Sequence, residues 1–163
     1  MDWQGSIYRN GTVMKLSEIL FEEVEQDMPV VLYHGTLRSR LDSIMEQGLQ
    51  GGAGWGGAGT HGVYLSGTPD GALYWAKIAY MSEQEEDLEP ERFDRKYGKD
   101  ADKLLVVLEV RIPAEAVDNL RADMEQAEEY GFEGDAEDWQ AGLEEIGDVM
   151  YEGNIPSEWI HSK

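Results

Sequence analysis

The sequence predicts a single α+β domain. Short β-branched and aromatic runs alternate along the chain with amphipathic stretches of helical period. The length of 163 residues suits one core, and an apolar content of 41%, with five Trp and eight Tyr, supplies its side chains. No apolar run approaches the ~20 residues a membrane helix requires. The first eleven residues lack the basic start and apolar stretch of a secretory signal, so a cytoplasmic address is expected. The absence of Cys excludes disulfides and thiolate–metal sites.

The expected elements follow in order. Residues 16–26, capped by Ser17, carry Ile19, Leu20 and Val24 near helical spacing and make residues 1–27 an N-terminal helical extension. After Met28-Pro29, the run Val30-Val31-Leu32-Tyr33 reads as a buried strand that ends at His34. Residues 38–47 place Leu41, Ile44 and Met45 on one helical face and stop at Gly48. Residues 51–59, GGAGWGGAG, formally match GxGxxG, but a helix precedes and an extended segment follows, the reverse of the dinucleotide-binding context, so a loop is expected. That extended segment is Gly62-Val63-Tyr64-Leu65-Ser66. Thr68-Pro69-Asp70 then opens a helix with Ala72, Leu73, Trp75, Ala76 and Ala79 on its apolar face.

Residues 82–102, rich in charge and poor in aliphatics, read as an exposed loop. LLVVLEVRI at residues 104–112 reads as a central strand limited by Pro113. Residues 115–147 form an acidic segment with helices expected at 124–130 and 136–146. Val149-Met150-Tyr151 reads as the last strand, followed by a turn through residues 154–160.

Charge is unevenly placed within a net of −21. Residues 1–82 hold nine acids against five bases, and residues 83–163 hold twenty-five against eight. Between Glu115 and Glu152 there are fourteen carboxylates and one base, Arg121. Such a surface repels phosphate backbones and disfavours nucleic acid as a partner. It suits a solvated face, or a macromolecular partner with a basic surface. Three scattered His and no Cys give no transition-metal pattern, and no metal is expected.

Taken one at a time, His34 at a strand exit, Gly35, Thr36, Tyr64 and Tyr74 all have ordinary structural readings. Together, LYHGT at residues 32–36, EQGL at 46–49, GVYLS at 62–66, ALYWA at 72–76 and the closing GNIPSEWI at 153–160 form a series whose order and spacing carry more weight. The series resembles the ADP-ribosyltransferase superfamily, in its diphtheria-toxin-like branch with a His-Tyr-acid triad, over about residues 30–160.

The resemblance implies a split sandwich of two mainly antiparallel sheets with peripheral helices, NAD as substrate, and a small phage or bacterial effector that modifies a host protein. His34 would hydrogen-bond the nicotinamide ribose, and the Gly35 backbone would bind the carboxamide. Tyr64 and Tyr74 would sandwich the cationic ring, with Thr36, Arg38 and Ser66 completing the NAD site. The third catalytic residue would be a carboxylate aimed at the oxocarbenium ion that forms on the ribose. Asp148 is the first choice, since it immediately precedes the last strand; Glu152 and Glu145 are alternatives. Arg38 and Arg40 would hold the NAD pyrophosphate, while His61 sits beside the glycine-rich stretch with no assigned role.

Two other readings remain. The related RNA 2′-phosphotransferases share YHGT but carry His where this chain has Tyr64, and they rely on several Arg. A non-enzymatic acidic binder, mimicking nucleic acid against a basic partner, rests on charge alone.

Overall fold

The computed structural model describes residues 6–9, 12–15, 28–51 and 62–162. The helix expected at residues 16–26, nearly all of the glycine-rich stretch, and His61 lie outside them. Within the N-terminal extension, β1 (Ser6–Arg9) and β2 (Thr12–Lys15) form an antiparallel pair, with Ser6 opposite Lys15 and Arg9 opposite Thr12. The helical reading of that extension therefore does not hold at residues 6–15. The signal it overlooked is Asn10-Gly11, a dipeptide that favours two-residue hairpin turns.

The main body is α+β, built on one six-stranded antiparallel sheet. Its strands are β3 (Val30–Leu37), β4 (Gly62–Ser66), β5 (Leu105–Ile112), β6 (Leu120–Ala122), β7 (Asp148–Glu152) and β8 (Ile160–Ser162), in the order β6-β7-β4-β3-β5-β8. β3 runs three residues beyond the expected end at His34, because all eight of its residues pair with β5, from Val30 opposite Ile112 to Leu37 opposite Leu105. β4 and β7 pair over five residues, from Gly62 opposite Glu152 to Ser66 opposite Asp148. Between β3 and β4, by contrast, the ladder holds a single pair, Tyr33 opposite Ser66. The sheet is thus two three-stranded halves hinged at one point.

Alternation along β5 buries Val106, Leu108, Val110 and Ile112, while Glu109 and Arg111 point the other way and pair at 2.7 Å. The core joins these residues to Leu32, Leu65, Leu120, Val149 and Ile155 from both halves. The last expected strand is not the last, since β8 follows it and extends the sheet beside β5. The chain closes on itself where Leu49 and Ile155 exchange two backbone hydrogen bonds, of 2.8 and 2.9 Å. Gly48, at a φ of 78°, makes the turn into that bridge; a side chain there would meet the Ile155 carbonyl oxygen at 2.2 Å.

Among the described residues the α-helices are α1 (Leu41–Gln47), α2 (Pro69–Glu83), α3 (Pro90–Tyr97), α4 (Ala101–Leu104) and α5 (Trp139–Glu145). α2 is started by Thr68, whose hydroxyl accepts from the Gly71 amide at 3.0 Å, and by Pro69 in its first turn. Residues 82–102 are not an exposed loop. The end of α2, then α3 and α4, fold over a small second core around the fully buried Phe93, which meets Tyr80 edge-on at 5.7 Å and Tyr97 at 5.4 Å. Aromatic rings replace the missing aliphatics, and charge sits on the outer face. The acidic segment is also less helical than expected. Residues 124–130 form turns, α5 is confined to seven residues, and Leu120–Ala122 is a strand too short for alternation to announce it. Among the described residues, no helix is long and apolar enough to cross a membrane.

Candidate active site

The hinge between β3 and β4 opens onto a cavity of about 590 Å³, within the range of small-molecule sites. His34, Gly35 and Thr36 line it from β3, Tyr64 and Ser66 from β4, and Trp75, Ile78 and Ala79 from α2. α1 and the Gly48–Leu49 turn close one side; Asp123, Glu125, Gln126 and Asp148 close another.

His34 helps tie the halves together: its Nδ1 donates to the Tyr64 carbonyl at 2.9 Å. A carbonyl only accepts, so Nδ1 carries the hydrogen and the neutral ring keeps Nε2 as an acceptor. Burial holds the His34 pKa below the ordinary imidazole value, and the Arg40 guanidinium adds to this, against the opposing pull of the carbonyl bond.

Gly35 is fixed by packing. A Cβ there would lie 1.8 Å from the Ala72 carbonyl oxygen, so α2 seats directly against the β3 backbone. That contact holds α2 close enough to wall the cavity. One turn after the seat, rotation of 100° per residue separates neighbours: Trp75 faces the cavity, while Tyr74 points outward, 45% exposed and edge-on to Trp75 at 5.0 Å. Tyr74, expected as the second aromatic wall, is not among the residues lining this cavity, which Trp75 lines from the same helix.

Asp148 is 8% exposed. Its Oδ1 accepts from Ser66 Oγ at 2.5 Å, and its Oδ2 from Trp75 Nε1 at 3.0 Å and Gln126 Nε2 at 3.2 Å. Ser66, its cross-strand neighbour, therefore spends its hydroxyl on holding the acid. The same Gln126 amide nitrogen donates to Asp123 Oδ2 at 2.6 Å, and the Glu125 amide donates to Asp123 Oδ1 at 3.2 Å. Asp123 is 3% exposed, and burial, reinforced by Asp148, raises its pKa.

The cavity thus gathers His34, Gly35, Thr36, Tyr64, Ser66 and Asp148 from the residues singled out in the sequence. It leaves out Tyr74 and Arg38, whose Nε donates to the Asp102 carbonyl of α4 at 2.7 Å. The cavity's cation is Arg40, held 3.0 Å from Glu83. Of the alternative acids, Glu152 pairs with Arg121 at 3.4 Å and Glu145 is exposed on α5; neither lines the cavity. Sequence reasoning missed Asp123 and Gln126, which follow a three-residue strand with no readable pattern, and gave Trp75 only a packing role. Among the described residues, no cluster of His, Asp and Glu has the form of a metal site. No protein-family model matches the chain, and no curated protein matches it.

Proposed function

We propose that the protein is a mono-ADP-ribosyltransferase, which cleaves NAD at the bond between nicotinamide and ribose and transfers ADP-ribose to a protein. The observation that carries this reading is the convergence of His34, Tyr64 and Asp148, from three different strands, on one cavity at the hinge of the sheet. In this reading the two halves of the sheet correspond to the two sheets of a split sandwich, with the cleft between them as the NAD site. His34 Nε2 accepts from a ribose hydroxyl. Tyr64 and Trp75 flank the nicotinamide, each ring worth about 1 kcal/mol through stacking and cation–π attraction.

As the C1′–N bond breaks, the electron pair leaves with nicotinamide, and the Asp148 carboxylate stabilises the positive charge on the ribose carbon. Its three donors keep it aimed and prevent it from swinging away. The acceptor's nucleophile then bonds to C1′ and gives up a proton. Asp123, whose raised pKa makes its carboxylate the more basic, is suited to receive it.

The test is release of nicotinamide from NAD by purified protein, with and without cell lysate. Release that depends on lysate, and that falls about 100-fold or more in Tyr64→Ala and Asp148→Asn, supports the transferase. No release, together with no NAD binding by calorimetry, favours a non-enzymatic acidic binder, for which the fourteen carboxylates from Glu115 to Glu152 are the supporting observation. The RNA 2′-phosphotransferase reading has little support, since among the described residues Arg40 is the only Arg or Lys lining the cavity.

A further inference from the structure

A second hollow of about 470 Å³ adjoins the first at Trp75 and Asp148, which line both spaces. Tyr74, Tyr130, Leu143 and Ile146 form its remaining apolar surface, and Tyr74 and Tyr130 are 45% and 51% exposed. Single exposed aromatics need no explanation, but two phenol rings beside one hollow make a patch that folding alone does not require. The two phenols and Asp148 are close enough that Glu129, Asp148 and Tyr74 all add to the rise that burial imposes on the Tyr130 pKa. Asp148 in the lining and Glu129, next to Tyr130 in the chain, bring negative charge to the patch. The chain around it, Glu115 to Glu152, has one base, and Arg121 is already engaged with Glu152 at 3.4 Å.

We infer that this hollow docks an arginine-bearing basic segment of the protein acceptor, with a guanidinium seated against the Tyr74 and Tyr130 rings. Aromatic faces next to carboxylates attract cations in general, and a planar, weakly hydrated guanidinium stacks on them better than an ammonium does. An acidic segment would meet Asp148 and Glu129 with like charge. The position also serves the reaction: the hollow adjoins the proposed NAD cavity at Trp75 and Asp148, so an acceptor docked there lies beside the bond that breaks. In naming the segment as an acceptor this inference rests on the transferase reading; the hollow's preference for arginine does not.

The experiment is fluorescence anisotropy with three labelled synthetic heptapeptides, in which Gly alternates with Arg, with Lys or with Glu, at an ionic strength of about 0.15 M. The expected result is that the Arg peptide binds several-fold more tightly than the Lys peptide and the Glu peptide does not bind. Tyr130→Ala and Tyr74→Ala should each weaken the Arg peptide about fivefold or more, while Tyr130→Phe, which keeps the ring, retains binding. Cooperative melting within a few degrees of the wild type shows that all three variants are folded. Equal binding of the Arg and Lys peptides, binding that ignores the loss of both rings, or no binding overturns the inference. Because the readout is binding and not turnover, a protein that fails to release nicotinamide but still selects the Arg peptide sinks the transferase reading alone.

Discussion

At the scale of the residue, the cavity is organised by two carboxylates that share one amide. Gln126 Nε2 donates to both Asp123 and Asp148, at 2.6 and 3.2 Å, so neither acid is buried without a donor. The arrangement still opposes folding at neutral pH. Asp123 has a folded pKa raised above its unfolded value, so the stability it contributes is complete below the ordinary carboxylate range, near pH 3.8, and is lost as pH rises through the raised value. Asp123→Asn should therefore be more stable than the wild type at pH 7, with the gain shrinking as pH falls towards 4. Denaturant midpoints at the two pH values check this, and an equal gain at both would show that charge burial is not the cause. Under the proposed transferase reading, in which Asp123 receives the acceptor's proton, the same variant should also flatten the acid limb of the rate profile for ADP-ribose transfer.

The elements explain how these side chains meet. β5 is the rigid base, paired over eight residues with β3, and β7 plays the same part for β4. Strong pairing within each half and a single pair between them leave the hinge region to be filled by side chains, which is where the cavity forms. α2 spans the opening only because Gly35 lets it sit on the β3 backbone. Gly35→Ala would push a methyl group into the Ala72 carbonyl. The expected outcome is a loss of about 1–3 kcal/mol, read as a lower midpoint in urea, together with weakened NAD binding under the proposed transferase reading, as Trp75 moves. An unchanged midpoint would mean that α2 is not held by this contact.

At the scale of the whole molecule, charge dominates. A net of −21 on 163 residues makes the folded chain repel itself, most strongly where twenty-five acids face eight bases in residues 83–163. Raising sodium chloride from about 0.02 to about 0.2 M should screen this repulsion and raise the melting temperature, where isolated surface ion pairs alone would lower it. Fluorimetric melting curves across that series decide between the two. The same screening should weaken docking of a basic partner, so stability and partner binding are expected to respond to salt in opposite directions.

Much of this architecture was written locally. The apolar start and alternation of residues 104–112, the Thr68-Pro69 cap of α2, and the Gly48 stop of α1 each depend on neighbours a few residues away, and the sequence by itself determined them. It also placed His34 and Tyr64 on adjacent stretches of an α+β domain, and set Asp148 at the start of a strand. What only the tertiary structure decided is which of these faces meet. Helical period put both Tyr74 and Trp75 on α2, but the seat on Gly35 chose Trp75 for the cavity and left Tyr74 outside. Aliphatic content argued for a loop at residues 82–102, but Phe93, Tyr80 and Tyr97 make a core once α3 folds back on α2. Asp123 and Gln126 joined the site through contacts with Asp148, 25 and 22 residues further along the chain. Periodicity records which side of an element is apolar; it holds no record of the partner that will cover that side, because the partner is fixed by packing between distant segments.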